Sequence, residues 1–284
     1  MRLLRREDQE RSSQRHEYNK MKRDLYFSKP IMNAAGSLGF APDFRSLGDF
    51  GSLNRFGAFV TNPISLRPRM PTAQPALIEF PGGFLLHTGL PNPGLSAVLK
   101  KHEARWNRAD IPIIVNLMAD RPEETMRMVQ MLESIENVMA VELGFAPLLT
   151  DNIFLLNLEM CIGELPLIFS LPAEQVLSLG PRLMQEGAAA ISMTSPRGAL
   201  MNDENKLITG RLYGQSIFPR SLDIVHSAAM IGMKYGTPLP LTYSATRLRR
   251  PPVMVSSPVS TRVTRHGSAW RSCTCSGRVT ARWR

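Results

Sequence analysis

The chain has 284 residues, a mass of 31.7 kDa and a formal net charge of +10. That length can bury a substantial core and suits a single α/β barrel, while such a charge ordinarily points to a nucleic-acid or anionic partner. Its distribution excludes a basic globular domain: Pro238 to Arg284 holds nine arginines and no lysine or acid, Met1 to Asp24 carries +3, and residues 25–237 are left at −2.

Other limits follow quickly. Cys161, Cys273 and Cys275 are too few for a disulfide framework, so a reducing compartment is expected. Cys273-Thr274-Cys275 has no second pair or nearby histidine to complete a zinc site, so no metal is expected. No apolar run reaches the roughly 18 residues that would span a bilayer. The first residues turn charged at Arg5-Arg6-Glu7-Asp8, before a signal-peptide core could form. A cytoplasmic protein is the expectation.

In chain order, residues 1–24 read as a charged extension whose stretch from Arg5 to Arg23 suits a solvated helix. Short apolar runs then recur: Ile31 to Ala35, Gly57 to Thr61, Ile111 to Leu117, Met139 to Leu143, Pro166 to Leu171 and Ala188 to Thr194. They lack clean polar alternation, which predicts strands buried on both faces, as in a parallel sheet. Between them, Pro122 to Ser134 predicts a helix with acids in its first turn. Ala173 to Glu186 predicts another, with Gly187 as its C-cap.

The regular βα spacing predicts an α/β fold of the (β/α)8 TIM-barrel type, because no G-x-G-x-x-G follows the first strand to favour a dinucleotide fold. Pro238 to Tyr243 is the candidate seventh strand, beginning under two prolines. After Ser244 no Gly-Gly turn or amphipathic helix is legible, so the barrel is expected to be incomplete after the seventh strand. The expected organisation is an extension over 1–24, a partial barrel over 25–244 and a basic, unfolded tail over 245–284. An arginine-rich, acid-free ending of this kind is what translation in a shifted reading frame would produce. The tail carries no aromatic stacking set, so nucleic-acid binding is not expected.

In a barrel the site lies at strand C-termini and the loops after them. Those positions here are rich in Gly, Asn, Ser and Thr and poor in ionisable groups, which suits a flat polar ligand held through backbone and amide groups. His87, ending Phe84-Leu85-Leu86-His87, reads as a strand-end residue.

At these loops a resemblance emerges. Pro30 to Gly36, Gly57 to Ser65, Gly89-Leu90-Pro91-Asn92-Pro93-Gly94, Val141-Glu142-Leu143, Pro166 to Leu171 and Gly210-Arg211-Leu212-Tyr213-Gly214 are similar, in order, to motifs of the dihydroorotate dehydrogenase family. That family comprises FMN-binding TIM barrels of pyrimidine biosynthesis. The resemblance implies FMN as cofactor, with Ala34, Ala35, Gly36, Asn62, Ser170, Thr194, Gly210 and Gly214 around it. It implies a small-molecule dihydropyrimidine substrate met by Asn33, Thr88, Gly89, Leu90 and Asn92, and by analogy a homodimer. Hydride would pass from substrate C6 to flavin N5 while a base removes the C5 proton.

The departures fall on the reactive groups. Asn62 and Ser170 stand where the family has lysines, Thr194 and Leu86 where it has asparagines, and Arg211 where it has a glycine. Pro147 occupies the position of the Cys or Ser base. A flavin oxidoreductase of the dihydroorotate dehydrogenase type is the expectation, with a catalytically inactive barrel that binds a ligand or partner as the alternative.

Overall fold

In a computed structural model of the chain, the structure describes residues 25–42, 56–73, 76–147, 149–234, 241–245 and 255–258, with 232–234 and the last two segments described by backbone only. The proposed 1–24 extension and most of the tail lie outside the described residues. Six of the expected strands are present: β1 (Met32–Asn33), β2 (Phe59–Val60), β5 (Ile113–Met118), β6 (Val138–Gly144), β7 (Leu167–Leu171) and β8 (Ala190–Met193). Strands β2, β5, β6, β7 and β8 pair in parallel in that spatial order and curl into a half-barrel. Met32 bridges Ala58 in parallel and sets β1 beside β2.

The absence of polar alternation has a direct cause in the packing. Odd-numbered strand residues (Ile113, Val115, Leu117, Val141, Leu143, Leu167, Phe169, Leu171, Ile191 and Met193) join the helices in one large core. Even-numbered residues from the same strands, with Met32, Ala58 and Val60, form a second cluster: Ile114, Ala140, Ile168 and Ala190. The second cluster fills the inside of the curl, where small side chains fit the narrow interior. Both faces are thus apolar for most of each strand.

Helices cover the outer face. They are α1 (Leu95–Asn107), α2 (Pro122–Leu132), α3 (Asp151–Cys161), α4 (Val176–Glu186) and α5 (Phe218–Lys234). Helix α2 starts with Pro122 at its first turn beside Glu123 and Glu124, as its sequence predicts. Gly187 ends α4 with φ 129°, where its N–H bonds back to Leu183. Trp106 at the end of α1 is fully buried; its indole N–H donates to the Phe40 carbonyl at 2.8 Å and ties the segment after β1 to the core.

Leu241–Ala245 forms β11, parallel to β8, which is the expected seventh strand. Val255–Pro258, inside the segment expected to be unfolded, forms β12. This strand runs antiparallel to both β11 and β1, where a (β/α)8 barrel would have a parallel eighth strand. The sheet is therefore an incomplete version of the TIM-barrel type.

A second, four-stranded antiparallel sheet has the order β3-β4-β10-β9, made by β3 (Ala76–Phe80), β4 (Gly83–His87), β9 (Arg197–Met201) and β10 (Leu207–Gly214). Its β3–β4 hairpin lies in the connection between β2 and α1. Pro81-Gly82 supplies a two-residue turn, with Gly82 at φ 82°, and the loop proper begins at Thr88.

Candidate functional site

Along the inner face of the half-barrel, each strand changes character two residues above its apolar plug. Ile114 is followed by Asn116, Ala140 by Glu142, Ile168 by Ser170 and Ala190 by Ser192. Period-two geometry keeps each polar residue on the face of its apolar predecessor, so the four form a layer on top of a dry barrel floor. Asn116 Nδ2 donates to Glu142 Oε2 at 2.9 Å, and the Ser192 hydroxyl donates to Glu142 Oε1 at 2.5 Å. Asn116, Ser170 and Ser192 are buried and Glu142 is half-buried. The Asn116 backbone N–H donates to Thr61 Oγ1 at 3.0 Å, which fixes the end of β2 against this layer.

β1 is followed by Ala34-Ala35-Gly36, of which Ala35 packs against the apolar inner cluster below the layer. Gly36 has φ 87°, and a Cβ built there would meet only Pro63 Cδ at 3.9 Å, so the space before it is open. Asn33 is completely buried. Its side chain donates to the Val60 carbonyl at 2.6 Å and accepts from the Val60 N–H at 2.9 Å, so it clamps β1 to β2. Asn62 Oδ1 accepts from the Gly39 N–H and folds the segment after β1 toward the mouth.

The loop from Thr88 to Gly94 is held by Asn92. Its Oδ1 accepts from the Ser65 N–H, the Ser65 hydroxyl and the Gly94 N–H, and its Nδ2 donates to the Leu90 carbonyl. Leu90 has φ 54° and is 38% exposed, so this loop presents backbone outward in an unusual conformation. His87 closes β4 as expected, with Nε2 3.2 Å from Thr72 Oγ1.

Of the positions singled out in the sequence, Ser170 joins the inner layer, Thr194 follows the end of β8, and Ala34 to Gly36 follow β1, with Ala35 against the apolar inner cluster. Gly210 and Gly214 lie in β10, outside the half-barrel. A Cβ at Gly210 would come within 2.6 Å of the Leu86 carbonyl, and one at Gly214 within 2.4 Å of Gly83 Cα, so strand β4 occupies the space before both. Pro147 follows β6. The loop there is fixed by the Ala146 N–H, which donates to Asp120 Oδ1 at 2.7 Å.

Glu142, Ser192 and Tyr213 carried no expected role in the sequence, and Arg211 stood there only as a departure from the family's glycine. Glu142 lies within a strand, not on a loop; its signal is a lone carboxylate two residues after Ala140 in an otherwise apolar run. Arg211 and Tyr213 share one face of β10. Burial pushes the Tyr213 hydroxyl above its ordinary pKa, while the Arg211 charge and a hydrogen bond with Ser195 pull the other way. Burial also lowers the Arg211 pKa from its ordinary value, opposed by the negative potential of Tyr213 and Glu142 and reinforced by Arg197. Among the described residues no group of His, Cys, Asp and Glu could hold a metal ion, and no helix is long and apolar enough to cross a membrane.

A family model for dihydroorotate dehydrogenase matches residues 20–145, which include β1, the Gly89 to Gly94 loop and Glu142. Over that stretch, which is less than half of the chain, and at modest identity beyond it, the chain is similar to dihydroorotate dehydrogenases. The dihydroorotate dehydrogenase B (NAD(+)) catalytic subunit of Pelobacter propionicus is 28% identical over 221 residues, covering 71% of this chain and 72% of that one. The subunit of the same name from Geotalea uraniireducens is 26% identical over 220 residues, covering 70% and 71%. That of Trichlorobacter lovleyi reaches 33% identity, but over 122 residues, 43% of this chain and 39% of its own. Among solved structures, a chitinase A of Streptomyces coelicolor aligns at 12% identity and a TM-score of 0.31 over 64% of this chain and 62% of its own, which is too weak to carry an argument.

Proposed function

We propose that the mouth of the half-barrel binds FMN and a flat dihydropyrimidine acid, and that the chain is an oxidoreductase of the dihydroorotate dehydrogenase type with altered proton-transfer groups. The observation that carries this reading is the polar layer of Asn116, Glu142, Ser170 and Ser192 directly above a dry apolar plug, beside the open space at Gly36. A planar heteroaromatic ring needs that combination: a shelf without side chains to lie against and amide or hydroxyl groups for its edge. The residues fit the ring of the cofactor. Ala34, Ala35 and Gly36 would floor it, with Asn62, Ser170 and Thr194 at its edge.

When bound, FMN would supply the hydride acceptor that no side chain of this chain can provide. The chain's own residues then bind and orient. Thr88, Gly89 and Leu90 offer backbone groups to the pyrimidine, and Asn92 holds their loop in shape. Asn33 contributes by fixing the shelf, since its amide is tied to Val60. The relatives are named as NAD(+) enzymes, which makes NAD+ the acceptor to test in turnover.

A second reading is favoured by Pro147, which has no atom that can take the substrate's C5 proton. In that reading the chain retains ligand binding without turnover and serves as a binding or partner protein. One experiment separates the two: the visible absorbance spectrum of the purified chain, followed by anaerobic addition of dihydroorotate. Flavin absorbance that bleaches supports the oxidoreductase. Flavin that stays oxidised supports the inactive binder, and a chain that neither retains nor takes up FMN overturns the flavoprotein reading.

A further inference from the structure

Alternation along β10 places Thr209, Arg211 and Tyr213 on one face, and the pairing register sets Arg197 of β9 directly opposite Arg211 and Phe84 of β4 directly opposite Tyr213. Phe84 and Tyr213 stack with ring centroids 5.2 Å apart. This face looks toward the half-barrel, since Tyr213 hydrogen-bonds Ser195, just beyond β8, and Arg211 lies in the field of Glu142 on β6.

Two like charges opposed across a ladder destabilise the sheet, and a half-buried guanidinium needs a partner for its charge. Among the described residues, no carboxylate comes within ion-pairing distance of Arg197 or Arg211, and neither guanidinium makes a hydrogen bond. Glu142 cannot serve as a full partner, because Asn116 and Ser192 already engage its two oxygens. Arg197, Arg211 and Glu142 together carry a net charge of +1. A guanidinium stays charged near neutral pH and presents a planar fork of donors that matches a planar oxyanion.

The geometry points to Arg211, assisted by Arg197, as the site for the carboxylate of a flat substrate acid whose ring lies by the Phe84–Tyr213 stack. This rests on the barrel mouth being the substrate site. A singly charged planar carboxylate suits the net charge of +1 better than a phosphate, which carries roughly −1.5 to −2. The arrangement would compensate, from outside the half-barrel, for the absence of lysine at Asn62 and Ser170.

The test is calorimetric titration of the full-length chain with orotate, with uracil as the same ring lacking the carboxylate, and with inorganic phosphate. Orotate is expected to bind about 10-fold or more tighter than either comparator. R211Q should weaken orotate binding about 10- to 100-fold, and R197Q about 3- to 10-fold, with uracil unchanged. R211K, which keeps the charge and loses the fork, should fall between wild type and R211Q. The inference is overturned if R211Q and R197Q leave orotate affinity unchanged, if orotate and uracil bind alike, or if phosphate binds more tightly than orotate and is lost in R211Q. Should R211Q not fold, R197Q at an exposed strand position reads the same outcomes. Flavin content is recorded on the same samples: orotate binding without flavin defeats the oxidoreductase reading alone, and flavin with arginine-independent orotate binding defeats this inference alone.

Discussion

Ser192 on β8 donates its hydroxyl hydrogen to Glu142 on β6 at 2.5 Å, across the strand that lies between them. Flat-sheet neighbours two strands apart are nearly 10 Å from each other, so the contact depends on the curl of the sheet. Small residues make room for it: Ser170 is the inward residue of the intervening strand, and Gly144 opposes Ser170 in the register. The same curvature brings Asn116 to the other Glu142 oxygen.

Removing the serine hydroxyl should therefore leave a half-buried carboxylate oxygen short of a donor. S192A is expected to destabilise the fold by about 1–3 kcal/mol in urea unfolding. E142Q should cost a similar amount, because Arg211 loses the negative potential that favours it. The double variant should fall short of the sum of the two by about 0.5–3 kcal/mol, since both changes delete one interaction. Strict additivity would mean that the two residues do not act together.

The half-barrel strands and helices α2 and α4 were legible because they obey local rules: short apolar runs, a proline-led first turn in α2, a glycine stop after α4. Helix α3 was not, since Asp151 to Cys161 is apolar on several sides and its N-cap Thr150 makes no capping hydrogen bond. The end of strand β4 was legible at His87, but its partner β3 and the Pro81-Gly82 turn between them were not, because they lie in a glycine- and proline-rich stretch that resembles a loop. Most of the polar layer escaped for a different reason. Ser170 was marked by its place in a family motif, whereas the inward direction of Asn116, Glu142 and Ser192 shows only through their even-numbered apolar predecessors on the same strands. The Arg197–Arg211 pairing needed a cross-strand register that no local pattern encodes.

Gly36 and Gly89 have similar positive φ values, 87° and 76°, but different surroundings. A Cβ at Gly36 meets nothing closer than 3.9 Å, whereas one at Gly89 would lie 2.7 Å from the Thr72 backbone nitrogen. G36A should then cost only the conformational penalty, about 1–2 kcal/mol. G89A adds a backbone collision and should destabilise more. If FMN lies on the shelf, G36A should also lower flavin retention while G89A spares it, as read by absorbance after gel filtration.

Trp106 joins three parts of the chain: its ring is fully buried, its N–H bonds Phe40, and its carbonyl accepts from Asn137 Nδ2 at 2.7 Å. W106A should lose about 3–5 kcal/mol of stability. W106F keeps most of the apolar contact but leaves the Phe40 carbonyl without its indole donor, so about 1–3 kcal/mol is expected. Equal losses for the two variants in denaturant melts would show that the indole hydrogen bond, not ring volume, dominates.

Cys161 ends α3 within the outer core, where burial pushes its thiol up to about 12 from a usual 9.0. Between those two values the unfolded chain releases the thiol proton and the folded chain keeps it, so the unfolded state binds fewer protons and stability falls as pH rises through that window. Below pH 9 the residue contributes no slope. In a background where Cys273 and Cys275 are serine, C161A should flatten the decline of stability above pH 9 relative to its parent. Native protein in that background should resist a thiol reagent at pH 8 until denaturant is added, because the reactive thiolate is not populated in the fold. Rapid labelling of the native chain would mean that the end of α3 opens far more readily than its packing implies.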